Sequence, residues 1–244
     1  MTNKIFLALF FAVVFQSCEK GMVQPHITKA TKGTVHFKIN YEVDHVALQN
    51  MEMLYTTPNG YPYSVWKIQY IVSDFKFYNS AGVWSDTGFY FLDSQDIGKN
   101  SISIQGIPFG YYERVSFLIG IKPEYNVHDS LPMQADFQDM FWPDVMGGGY
   151  HFMKLEGRYS VGGTEMGYAI HIGGTGFSIP IKLNQKFQVN YKYPIKYFQL
   201  TMNINEWFRN PITYDFETDG ASIMGDSVAM MKIVKNGVDV FKIN

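Results

Sequence analysis

The chain has 244 residues, of which 46% are hydrophobic, 17% aromatic and only 17% charged, with a net charge of −2. That is ample apolar material for a sizeable core and argues against a disordered chain. It contains no basic block or stripe, so the sequence lacks the electrostatic footprint of a nucleic-acid partner.

Lys4 is followed by eleven consecutive apolar residues, Ile5 to Phe15. This is the length of a secretory hydrophobic region, whereas a bilayer span needs about 20 apolar residues. The run ends in Gln16-Ser17-Cys18. A small residue directly before a cysteine, just past the hydrophobic region, is similar to a bacterial lipobox. Cys18 is the only cysteine, so no intrachain disulfide can form, and acylation gives the thiol a role. Two or more acyl chains anchor stably where one is marginal. The expected organisation is a signal peptide over 1–17, a lipidated polar tether over 18–32 and one folded domain over 33–244, held at a membrane of the cell envelope.

From residue 33 the pattern turns to β. Thr34–Tyr41 alternates, with Val35, Phe37, Ile39 and Tyr41 on one face. Residues 65–78 are rich in β-branched and aromatic types. Phe89–Leu92, Ser101–Gln105 and Arg114–Ile121 follow, separated by turn formers. Tyr168–Ile172, Phe177–Ile181, Lys186–Tyr193, Tyr197–Ile204, Val228–Val234 and Val238–Ile243 repeat the habit in the second half. Asn236-Gly237 between the last two predicts a tight hairpin. Helix is sparse: residues 134–141 and 203–208 each suit a turn or two, stopping before Pro143 and Pro211. The expected fold is all-β, an antiparallel sandwich or barrel with one or two short helical turns.

Residues 140–157 read MFWPDVMGGGYHFMKLEG. Three consecutive glycines permit positive φ or close backbone approach, so this loop is more than a spacer. The segment resembles the signature of the MbnP-like family of lipoproteins and periplasmic proteins. WKIQYIVSDFKFY, SIQGIPFGYYERVSFLIGI, YAIHIGGTGF, TMNINEWFRNP and SIMGDSVAMMKIVKNGVDVF resemble further parts of that family, in the expected order over residues 34–243.

The resemblance implies a β-sandwich, export and copper binding. It also implies a di-haem redox partner, which in the best-known members oxidises a tryptophan to kynurenine beside the histidines that hold Cu(I). Those members carry Trp-x-Trp in the loop. Here Trp142 stands alone, Asp144 sits where the second Trp would be, and Val145, Met146 and one glycine lengthen the loop.

Six histidines are available: His26, His36, His45, His128, His151 and His171. His26 in the tether and His128 in a polar loop are expected to be solvated, and no short histidine motif for a metal occurs. His151 follows the glycines, and His171 lies in a β-rich run before Gly173-Gly174. Imidazole suits copper and thioether suits Cu(I), and Met140, Met146 and Met153 surround the loop. The candidate metal ligands are therefore His151 and His171, with Trp142 as the aromatic beside them. Two ligands of one ion require their rings to come within about 5 Å.

The rival reading has structural histidines and core methionines in a metal-free envelope lipoprotein that binds glycan or another envelope protein through exposed aromatics. No GxSxG, CxxC, phosphate-loop or dinucleotide pattern is present, and carboxylate pairs such as Asp93 and Asp96 fall at turns. The chain reads as a binding protein rather than an enzyme.

Overall fold

A computed structural model describes residues 31–244. The expected signal peptide, Cys18, His26 and the expected tether up to residue 30 lie outside the described residues.

β1 (Lys32–Val43) realises the first alternation: Val35, Phe37, Ile39 and Val43 are buried, Tyr41 on the same face packs against the core, and the even-numbered residues between them point outward. Two short pieces, β2 (Val46–Ala47) and β3 (Tyr55–Thr56), lead to β4 (Pro62–Asn79), the longest strand at 18 residues. β5 (Gly82–Ser85) and β6 (Phe89–Asp93) both fold back on β4. β7 (Ser101–Pro108), β8 (Gly110–Tyr112) and β9 (Arg114–Ile119) complete the first half. After a long irregular segment with one α-helical turn, α1 (Ala135–Gln138), and two 3-10 turns come β10 (His151–Val161) and β11 (Thr164–Gly173). β12 (Ile179–Leu183), β13 (Phe187–Val189) and β14 (Ile195–Asn203) follow. A helix, α2 (Ser227–Asn236), and β15 (Phe241–Ile243) close the chain.

The strands form two main sheets and a small β8–β13 ribbon. One sheet runs β15-β14-β1-β2, with β7 also on β1; the other runs β11-β10-β4-β9-β12, with β3, β5 and β6 also on β4. Aromatic side chains interlock between them. Phe75 of β4 stacks on Phe37 of β1 at 5.6 Å and on Phe117 of β9 at 4.8 Å. Phe241 of β15 meets Phe117 at 5.7 Å and Tyr70 at 6.2 Å. Each such ring contributes about 1.5–3 kcal/mol by burial alone, which explains how a chain with one cysteine holds this core without disulfides.

The all-β sandwich is as expected, with four differences of detail. First, β1 and β14 pair in parallel, Thr34 opposite Ile195 through Glu42 opposite Asn203, so the sheets are not wholly antiparallel. Second, Val228–Val234 is not a strand but lies in α2. Asp226 caps that helix by accepting from the Val228 and Ala229 amides, and Ala229, Met230, Ile233 and Val234 are buried at helical spacing. Third, Asn236-Gly237 is no hairpin. Asn236 is buried and donates to the Trp207 and Ile212 carbonyls, and Gly237 has φ −68°. Fourth, the expected strand Lys186–Tyr193 stops at Val189, where Asn190 accepts from the Lys192 and Tyr193 amides and turns the chain.

Candidate metal centre

The centre is built on the outer face of the second sheet, where β10 and β11 pair. In regular register Lys154 opposes His171 and Met153 opposes Ile172. The register then shifts, so that His151 opposes Gly173 and Phe152 is left over. One extra residue in a strand reverses the side to which the next side chain points. Without the bulge, His151 would share the face of Met153 and Leu155, which are fully buried in the core. With it, His151 joins His171, Lys154 and Glu156. The His151 and His171 rings stand 5.1 Å apart, nearly perpendicular at 84°.

The glycine loop supplies the third wall. Gly147, Gly148 and Gly149 have φ of 102°, 67° and 86°, a run of left-handed residues that side chains rarely tolerate. The loop is closed by a bridge between Phe141 and Tyr150 and by the Trp142 amide donating to the Gly149 carbonyl at 2.9 Å. This folds Trp142 back onto β11. A Cβ on Gly173 would lie 2.3 Å from the indole, so the ring rests directly on that backbone. The indole N–H donates to the Met146 carbonyl at 3.3 Å, and the ring meets His151 edge-on at 4.7 Å. Trp142 and His151 are both buried, at 2% and 5% exposure.

The hydrogen bonds assign the protons. His151 Nδ1 lies 3.3 Å from the Met140 carbonyl, which can only accept, so the proton sits on Nδ1 and the lone pair on Nε2. That Nε2 is buried with no hydrogen-bond partner. Burial, reinforced by Lys154 and His171 nearby, pulls the imidazole down from 6.5 to about 4, so it is neutral at pH 7. His171 Nε2 lies 2.9 Å from Glu156 Oε1 and donates to it, so in the neutral ring Nδ1 carries the lone pair. The hydrogen bond from His171, against the cost of burial and helped by Lys67, holds the Glu156 carboxyl below its ordinary value. A carboxylate on the far nitrogen is how metal-binding histidines are commonly oriented.

The sequence profile of the MbnP family matches residues 32–225. The chain belongs to the MbnP family. Among solved structures, MbnP from Methylosinus trichosporium superposes with a TM-score of 0.54 at 13% identity, covering 86% of this chain and 98% of that one. At that identity the likeness speaks for the fold. Comparison with curated proteins gives no match.

Within this MbnP-family fold the sequence candidates come together: His151, His171 and Trp142 form one cluster, while Cys18 lies outside the described residues. Met140 and Met153 are core residues, and Met140 meets His151 through its carbonyl rather than its sulfur. His128 is half-exposed but not merely solvated, since its ring stacks on Phe141 at 4.0 Å. Among the described residues no three His, Cys, Asp or Glu side chains converge as a metal cage. The donor set is therefore two imidazoles, that of His151 neutral, against an aromatic wall. This fits a soft ion of low coordination number such as Cu(I). It does not fit calcium or magnesium, which need several oxygens, or a structural zinc site with four ligands. The sequence did not single out Glu156, and it marked Gly173 only as a neighbour of His171 and not as the seat of Trp142. Both depend on the β10–β11 register, which no local spacing reveals.

Proposed function

We propose that this MbnP-family protein is a lipid-anchored, extracytoplasmic copper-binding protein with no catalytic chemistry of its own. The observation that supports this is the buried, unpartnered Nε2 of His151, 5.1 Å ring to ring from a second imidazole already oriented by a carboxylate. A buried acceptor without a partner costs about 1–3 kcal/mol, and a bound ion removes that cost. In this reading His151 and His171 hold the ion, Glu156 orients His171 and Trp142 keeps water out. A di-haem redox partner acting on Trp142 belongs to the same reading, as does acylation at Cys18. Mass spectrometry of the protein isolated from membranes reads both, as kynurenine in place of Trp142 and as acyl chains on Cys18.

Competition of the chain with a chromogenic chelator for Cu(I) is the direct test. One equivalent is expected to bind more tightly than about micromolar, or about −8 kcal/mol. His151→Ala and His171→Ala are each expected to lose that site. Micromolar or weaker binding by the unaltered chain would sink the proposal.

A further inference from the structure

A second feature lies on the first sheet, apart from the β10–β11 pair that carries the histidine cluster. Between Glu165 and Glu206 there is no acidic residue, while Lys182, Lys186, Lys192 and Lys196 fall in that interval. Its later part displays large side chains to solvent: Tyr193 in the turn and Ile195 and Tyr197 at the start of β14 are 54%, 47% and 74% exposed. The ammonium groups of Lys192 and Lys196 both sit over the Tyr193 ring, at 5.4 and 5.5 Å. Tyr197 stacks on His36 at 4.9 Å.

This surface lies where the folded domain receives the chain from Cys18. The Thr34 amide donates to the Pro194 carbonyl at 2.8 Å, and Thr34 and His36 pair with Ile195 and Tyr197. The Phe109 amide donates to the Thr31 carbonyl, fixing that end. Only twelve residues lie between Cys18 and Thr31, a reach of at most about 45 Å over the connecting steps. An anchor at Cys18 therefore keeps this end of the sandwich within about 45 Å of the bilayer.

We propose that the 191–197 surface seats on anionic phospholipid headgroups, with Tyr193, Ile195 and Tyr197 in the interfacial layer and Lys192 and Lys196 on the phosphates. Tyrosine favours that layer because its ring is apolar and its hydroxyl wet. Each lysine near an anionic surface contributes about 1 kcal/mol, so two act together as a roughly thirtyfold preference. Charge decides for headgroups over a neutral glycan, which needs the rings but not the lysines. The inference rests on the anchor reading of Cys18 for its geometry, and its tests separate the two.

The chain carrying Cys18→Ser, which cannot be acylated, is sedimented with vesicles of equal parts phosphatidylglycerol and phosphatidylcholine, and with phosphatidylcholine alone. It is expected to partition onto the anionic vesicles, and Lys192→Glu with Lys196→Glu to lower that partition at least tenfold. Tyr193→Ser with Tyr197→Ser is expected to lower it severalfold, with near-UV circular dichroism confirming each fold. In the membrane-isolated protein on the same anionic vesicles, Lys192 and Lys196 are expected to resist reductive methylation while Lys235 on α2 reacts. Vesicle binding unmoved by both double variants, or sedimentation with peptidoglycan in place of vesicles, overturns the proposal. An unmodified Cys18 overturns the anchor alone, because the Cys18→Ser measurement does not depend on it.

Discussion

At residue scale the decisive group is His151, whose neutral ring has a pH signature. Its folded value is about 4 against an ordinary 6.5, so between those values the unfolded chain binds a proton that the folded chain refuses. Stability is therefore fully present above pH 6.5 and falls as the pH drops towards 4, by on the order of 3 kcal/mol. Asp44 and Glu156 also lie below their ordinary values, Asp44 through its bonds to Arg209, Asn205 and Asn203 and Glu156 through His171. Being depressed carboxyls, they begin to lose their contribution only as the pH falls into the ordinary carboxylate range, so above about pH 5 they add little to the decline. Urea denaturation of the metal-free chain from pH 7 to 4 is expected to show the decline. His151→Gln, which has nothing to titrate there, is expected to flatten it. A variant that keeps the full slope would place the neutral imidazole elsewhere.

At element scale the centre depends on one bulge and one glycine. Gly173→Ala puts a methyl 2.3 Å from the Trp142 ring, with backbone on one side and indole on the other. Overpacking of this kind costs about 1–3 kcal/mol. Because the indole must lift, the variant is expected to bind Cu(I) more weakly as well as melt lower. An unchanged affinity would show that Trp142 plays no part in the centre. The same scale shows what was legible in the residues. Val35, Phe37 and Ile39 announced β1 by alternation, and the His-Ile-Gly run marked the strand that carries His171 and seats Trp142. The bulge was not legible: strict alternation from Leu155 would have sent His151 into the core. Nor was α2, because SVAMMKIVKN is as rich in β-branched and apolar residues as a strand. Its buried spacing and the Asp226 cap were the available contrary signals. Asn236-Gly237 misled because Asn236 spends its side chain on three backbone groups inside the fold: it donates to the Trp207 and Ile212 carbonyls and accepts from the Ile212 amide.

At the scale of the whole molecule, the core and the proposed metal site occupy opposite faces of one sheet. The core between the sheets is aromatic and closed around Phe75, which is fully buried and touches Phe37, Phe117 and Tyr90. The histidine cluster sits on the other side of the same sheet, held by β10, β11 and the glycine loop. Phe75→Ala is expected to cost about 3–5 kcal/mol, as a deleted ring leaves a cavity the strands cannot close. At temperatures where the variant remains folded, its Cu(I) affinity is expected to match the parent's, since no residue of the centre moves. The converse follows from linkage. An ion that binds only the folded chain adds about 2.7 kcal/mol of stability when its free concentration is one hundred times its dissociation constant. Buffered Cu(I) should therefore restore much of what Phe75→Ala removes, and should restore nothing when His171→Ala is added. Thermal melts of the two variants with and without the ion read both effects at once. A copper-independent Tm in the Phe75→Ala chain would mean that the ion does not distinguish the folded cluster from the unfolded one.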